Sequence, residues 1–388
     1  MNAVYDHIIA ILIVGAIFVG TVVVMPTMSL INLQAVDQQQ LRNTALNVFN
    51  AMLLGTGCPS DWGSTFPFDQ NNVEAFGLAY SEECSMYVLD TDKVQRLDED
   101  SPGYIKYEYA KDLLKLEGYG FSLNIFRPFT VDWDLEIDET TNLVQFAVKV
   151  TRSQDGAPIP NAQISVTVLA TAINKNTKIN PVAIVNEART FFTDALGRCE
   201  GNETLTLPTG YELGQAVAVM KVTVAGMSTM VTAHAGINLQ DAIQINTFGD
   251  TITLTYRGWT QELPHGVRRI KQIDAYNYDQ LTRVWSGSDN PSDNKINQGS
   301  GDFQYWNKTF PGLQAMEPTL LLFTVQLPIP ELGNTLVIIA GPFSFWDSSK
   351  VFSFSPDSEQ VSDVAIKLRR FVVISGMTYI AELTLWKE

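Results

Sequence analysis

The chain is poor in the residue types that most often carry enzyme chemistry. Its 388 residues include three cysteines and three histidines. His7, His234 and His265 are scattered and no CxxC pair occurs, which excludes a zinc site of the common spacing. HExxH, GxSxG, GxGxxG and the phosphate-binding P-loop pattern are all missing. Ser288-Asp289-Asn290 and Ser292 with Lys295 imitate β-lactamase elements, but they overlap in one loop and no KTG follows. Basic residues are also scarce: 26 Lys and Arg against 42 Asp and Glu leave a formal charge of −16. That balance excludes nucleic acid as the main partner, because phosphate binding needs clustered cations. It also excludes docking of a basic patch on an anionic membrane. The chain has no solenoid-period repeat and no sustained heptad pattern. No cofactor and no metal are expected, and the chain is read as a non-enzyme.

Hydrophobic residues make up 45% of the chain, too many for wholesale disorder. Much of that weight lies in the first 54 residues. Ile8 to Met25 carries no charge and, as a helix, reaches about 27 Å, close to the hydrocarbon thickness of a bilayer. It is expected to be a retained transmembrane helix. A cleaved signal fits less well, because MNAVYDH has no basic residue and Val-Val-Val-Met-Pro is a poor cleavage site. Beyond Pro26 an apolar stripe continues through Leu30, Leu33, Leu41, Ala45, Val48 and Met52, and Gly55 and Gly57 stop it. Read as one element, 8–54 is a helix about 70 Å long, kinked at Pro26. Its orientation is weakly specified, the nearest cation being Arg42.

This arrangement of an apolar half, a proline and an amphipathic half resembles type IV pilins and the pilin-like surface proteins of archaea. Leu41 to Gly63 resembles the archaeal proteins as well. The resemblance implies a cell-surface protein assembled through its N-terminal helix with copies of itself, held in the membrane before assembly. In that family an acidic residue near the start of the apolar run neutralises the terminal amine of a neighbouring subunit, and Asp6 is the matching position. No short basic leader precedes the run, so either numbering starts at the mature residue or the chain is a membrane-anchored relative. An extracellular compartment favours oxidation of an even cysteine pair. A Cys58–Cys84 disulfide is expected, leaving Cys199 free.

The rest of the chain reads as mainly β, in three regions. Residues 55–128 form a small α/β subdomain with strands at Phe76 to Tyr80, Met86 to Asp90 and Phe121 to Phe126, and helices at Asp92 to Leu97 and Tyr104 to Leu116. The acidic run from Asp90 to Asp100 has no EF-hand spacing and reads as a solvated loop and helix start. Residues 129–240 alternate apolar with polar over Leu143 to Thr151, Ala162 to Ala170, Ala216 to Val224 and Met227 to Ala233. Within them, Asp155 to Val168 and Thr193 to Arg198 resemble the Ig-like domains of bacterial and archaeal surface and adhesin proteins, which implies a β-sandwich but no particular chemistry. Residues 241–388 form a C-terminal β domain that ends in a hairpin turning at Ser375-Gly376.

Trp259, Trp285, Trp306 and Trp346 lie in this last region and read mainly as core, although edge aromatics also stack on sugars. Asn202-Glu-Thr and Asn307-Lys-Thr are glycosylation sequons that require surface exposure. Together these features point to an extracellular structural or adhesive protein, foremost a pilin-like filament subunit. The alternative is a monomeric, membrane-anchored protein that binds a surface glycan or another cell through the C-terminal β domain.

Overall fold

The computed structural model describes residues 12–19, 37–82, 87–99, 101–138, 141–174, 182–185, 189–235, 243–257, 269–277, 280–286, 303–314, 320–329, 333–341, 352–356 and 364–388. The protein is mainly β, with 53% of residues in strands against 17% in helices, so sheets set its architecture. Among the described residues no helix is long and apolar enough to cross a membrane. Of the expected span 8–25, residues 12–19 are described, and they are helical. Asp6, Pro26 and the expected kink lie outside the described residues.

The amphipathic half of the N-terminal element is a helix over 37–54, α1. Leu41, Ala45, Val48, Phe49, Met52 and Leu53 recur at helical spacing and are all buried. They pack on a five-stranded sheet of order β1-β19-β20-β2-β18. Its strands are β1 (Val88–Leu89), β2 (Tyr119–Phe126), β18 (Phe352–Phe354), β19 (Ala365–Ile374) and β20 (Met377–Lys387). Two short helices complete this head, α2 (Thr91–Gln95) and α3 (Tyr107–Leu113). The β19–β20 hairpin turns at Ser375 and Gly376, whose φ values of 49° and 74° suit a tight two-residue connection.

The sheet joins segments that the sequence reading placed in separate units. The C-terminal hairpin does not join the strands of 243–341. Instead β20 pairs antiparallel with β2, and β18 covers the other edge of β2. The physical reason is visible in the side chains. Phe121, Leu123 and Ile125 of β2 and Leu383 and Leu385 of β20 are buried in the same core as α1. Everything between β2 and β18 is therefore an insertion into the head.

The insertion holds two sandwiches. In the first, β3 (Phe129–Asp138), β4 (Leu143–Arg152) and β8 (Arg198–Thr204) form one sheet. They face β5 (Gln163–Asn174), β6 (Val182–Val185), β7 (Arg189–Phe192), β9 (Tyr211–Val224) and β10 (Met227–Ala235). Val131, Val144 and Val148 from one sheet share a core with Ile164, Val166, Ala218 and Val231 from the other. In the second, β11 (Ile243–Phe248), β12 (Thr251–Arg257) and β15 (Phe303–Thr309) face β13 (Arg269–Asn277), β14 (Gln280–Ser286), β16 (Leu320–Ile329) and β17 (Gly333–Gly341). Ile245, Leu254, Ile273, Trp306 and Phe323 make that core.

One local expectation is corrected. Phe76 to Tyr80 is not a full strand: Ala79 makes an isolated antiparallel bridge to Leu89 of β1, with Tyr80 N donating to Val88 O at 2.9 Å and Asp90 N to Leu78 O at 2.8 Å, while its other backbone bonds go to the end of the helix. Leu78 N donates to Met52 O at 2.8 Å and Ala79 N to Gly55 O at 3.0 Å, satisfying carbonyls at the end of α1. Ala365 to Ile374 is one continuous strand, β19.

Candidate functional site

The first candidate is the N-terminal element itself. Leu12, Ile13, Val14, Ile17, Phe18 and Val19 are all exposed, each by 54% or more. At about 100° per residue these positions occupy the whole circumference of a helix. Downstream, α1 is held at both ends. Lys387 Nζ lies 3.3 Å from Asp37 Oδ1 at its start, and the 77–79 segment bonds its end.

The expected Cys58–Cys84 disulfide falls partly outside the described residues. Cys58 is a free, exposed thiol, and Cys84 lies outside the described residues. The Cys58 Sγ lies 3.6 Å from Glu74 Oε2. Desolvation and the neighbouring Glu74 carboxylate raise its pKa, which disfavours the thiolate that disulfide formation requires. Cys199 is free as expected, and it is buried in the core of the first sandwich. A maleimide is expected to modify Cys58 in the folded protein and Cys199 only after denaturation, read by peptide mass mapping. Modification of Cys58 that requires prior reduction restores the bridge.

The sequon asparagines are both accessible. Asn202 lies on β8 and Asn307 on β15, each at the edge of its sheet, and Thr204 and Thr309 are exposed two residues on. Beside Asn202 the open face of β3-β4-β8 forms a trough of about 450 Å³ lined by Asp134, Glu136, Gln145, Ala147 and Glu200. By register Ala147 lies between Asp134 and Glu200, so a short side chain between two carboxylates makes the depression. The tryptophans behave as core. Trp306 is buried, its ring 6.4 Å from Trp285, 6.4 Å from Phe310 and 6.3 Å from Phe323. Lys308 Nζ sits 4.5 Å over the Trp285 ring. Trp306 is buried in this core and Trp285 is partly buried beside it. Trp259 and Trp346 lie outside the described residues.

Among the described residues a dense ionic site forms where the sequence reads as a solvated acidic run. Asp90 caps α2, its Oδ1 accepting from Asp92 N at 2.8 Å and Lys93 N at 3.4 Å. Lys93 is fully buried, donating to Ala79 O at 2.8 Å with Asp90 Oδ2 3.7 Å away. Arg96 is fully buried as well. Its guanidinium donates to Gly63 O at 3.0 Å, Thr65 O at 2.6 Å, Pro102 O at 2.5 Å and Gly103 O at 2.9 Å. It lies between two rings, 4.5 Å from the Phe68 centroid and 3.5 Å from that of Phe248.

Phe248 belongs to the insertion, so this site is also a joint. Asp92 Oδ2 accepts from Gly249 N at 2.7 Å. Gln95 and Thr247 pair reciprocally, Nε2 to the carbonyl at 2.9 Å and the backbone amide to Oε1 at 3.0 Å. Gln244 Nε2 donates to Asp98 Oδ2 at 3.0 Å, and Phe66 stacks on Phe248 at 6.1 Å and 6°. Burial raises the Asp90 carboxyl, with Lys93 opposing. Burial and then Asp90 push Asp92 up to about 7, against the Gly249 amide, Arg96 and Lys93. Burial lowers Lys93, with Asp90 the main opposing charge. Among the described residues no group of His, Cys, Asp and Glu is arranged to hold a metal ion. The chemistry here is adhesion between two units of one chain.

No family model matches this chain, and no curated protein matches it either.

Proposed function

We propose that the chain is an extracellular structural or adhesive surface protein, a pilin-like filament subunit assembled through its N-terminal helix. One observation carries this reading: the 12–19 helix bears exposed Leu12, Ile13, Val14, Ile17, Phe18 and Val19 around its whole circumference. A helix that is apolar all round requires lipid or other apolar helices as its surroundings. The amphipathic α1 then fastens one of its faces to the head sheet, as a stalk must if the head is to be carried outward. In the assembled state sister helices replace lipid around 8–25. Asp6 lies beside a neighbour's terminal amine there, so its charge is compensated. The head and its Ig-like insertion face the medium, where a net charge of −16 keeps them solvated, and Asn202 and Asn307 stand open to glycosylation. No catalytic step is assigned.

Electron microscopy of the producing cell surface is expected to show filaments that contain this chain. Asp6→Ala is expected to abolish them while leaving the protein in the membrane. Detergent-soluble monomers, with Asp6→Ala indistinguishable from the wild type, identify the membrane-anchored binding protein instead.

A further inference from the structure

We propose that the head and its insertion are joined by a proton-sensitive clasp at Asp92, in which α2 grips the β11–β12 turn in acid and loosens it as the solution becomes neutral. The inference stands on the geometry of the joint and is independent of the filament reading. Three consecutive residues, the last two of β11 and the first of the turn, are each engaged by α2 or the residue after it. Thr247 is held by Gln95 through its backbone amide and carbonyl. Phe248 lies under the Arg96 guanidinium at 3.5 Å. Gly249 donates its amide to Asp92.

The seam around these contacts is polar. Gln244 and Asn246 of β11 face away from the Ile243 and Ile245 side, and Thr253 and Thr255 lie opposite them in register. All four are buried. Separating such a seam exposes polar atoms that water satisfies, so opening costs little apolar burial. At this contact the Phe66–Phe248 stack and the Arg96 contact resist on apolar grounds, while elsewhere Val217, Val219 and Met230 of the insertion share the head's core.

Asp92 is the group whose charge changes the grip. On its own helix it faces Asp90, Lys93 and Arg96. Asp61, from the loop beneath α2, acts on Lys93. From the β11–β12 side it meets the Gly249 amide. The neighbouring Asp250 is turned to Gly312 N and Gln314 N at 3.1 and 2.9 Å. Burial is the largest cause of the raised Asp92 pKa, and Asp90 adds to it; the turn covers Asp92 through the Gly249 amide. Release of the turn restores water to Asp92 and lowers its proton affinity. The closed joint therefore holds a proton that the open joint gives up. Its advantage is complete in acid, shrinks as pH rises from the ordinary aspartate range, and levels off above about 7.

The test is hydrogen exchange of the full chain, corrected for intrinsic rates, on peptides spanning 91–97 and 244–254. The opening constant is expected to rise between pH 5 and pH 7, by at most about 50-fold if the released carboxyl returns to its ordinary value. Asp92→Asn keeps the acceptor for Gly249 without the charge, and its protection is expected to stay flat across that range. Gln95→Ala is expected to loosen both peptides at every pH while keeping the wild-type slope. Flat wild-type protection overturns the clasp, as does an Asp92→Asn variant that keeps the full slope. If Asp92→Asn does not fold, the wild-type and Gln95→Ala profiles decide, and a Gln95→Ala variant with wild-type protection rejects the grip.

Discussion

Arg96→Ala is expected to be the most destabilising single change in the head, by about 4 kcal/mol. The guanidinium is the shared donor for four backbone carbonyls, those of Gly63, Thr65, Pro102 and Gly103. Two separate stretches of chain, 63–65 and 102–103, thus end on one side chain, and neither has regular secondary structure to hold it in place. Truncation strands these acceptors and opens a gap between the Phe68 and Phe248 rings. A buried acceptor left unmade costs about 1–3 kcal/mol, and removing one partner of a buried charged set costs about 3–5 kcal/mol. These terms overlap, so they are not summed. Lysine does not rescue the site, because an ammonium cannot fork to four carbonyls and stack between two rings at once. The expected readout is a lower urea midpoint for both Arg96→Ala and Arg96→Lys. An Arg96→Ala protein within about 1 kcal/mol of wild type shows that the loops are held by something else.

That site also shows where reading the sequence stops. The stripe Leu41-Ala45-Val48-Met52 was legible because its period is set by the helix alone, and α1 packs along it. The alternation in 143–151, 162–170 and 216–233 was legible for the same reason, and β4, β5, β9 and β10 follow it. β3 was missed although Phe129, Val131, Leu135 and Ile137 alternate. Its other face is Asp132, Asp134, Glu136 and Asp138, a density of acid that strands seldom carry. Pairing was not legible at all. Strand period says which face of β2 is apolar, but not that β20, more than 250 residues on, supplies its neighbour. Arg96 was invisible because a cation among Asp92, Asp98 and Glu99 has the composition of a solvated loop. The site forms only when Phe248 arrives from the insertion. Cys58 and Cys84 were paired on compartment and parity. The structure sets the Cys58 thiol beside Glu74, and Cys84 lies outside the described residues.

Gly77→Ala is expected to loosen the stalk from the head, at a cost of about 3 kcal/mol. A Cβ placed at residue 77 meets Gly55 O, Gly55 C and Gly57 N at 2.2, 2.6 and 2.6 Å. All three are backbone atoms, so no side chain can turn aside to make room. The segment also carries the Leu78 N and Ala79 N bonds to the end of α1, and the Trp62 indole donates to Gly77 O at 3.0 Å. Relief of the clash by moving 77–79 therefore breaks the bonds to Met52 O and Gly55 O, and it unseats a buried tryptophan. Overpacking alone costs about 1–3 kcal/mol, and the lost helix-end bonds add to it. The consequence is local before it is global. Protease cleavage is expected to rise first within 54–58, where α1 leaves the head, while the sandwich strands β4, β5 and β9 keep their exchange protection. Gly156→Ala is the matched control, since a Cβ there meets nothing within 4 Å, although its φ of 68° gives it the same backbone class of strain as any left-handed residue. If Gly77→Ala is cut no faster than Gly156→Ala at 54–58, the stalk is not fastened to the head at this crossing.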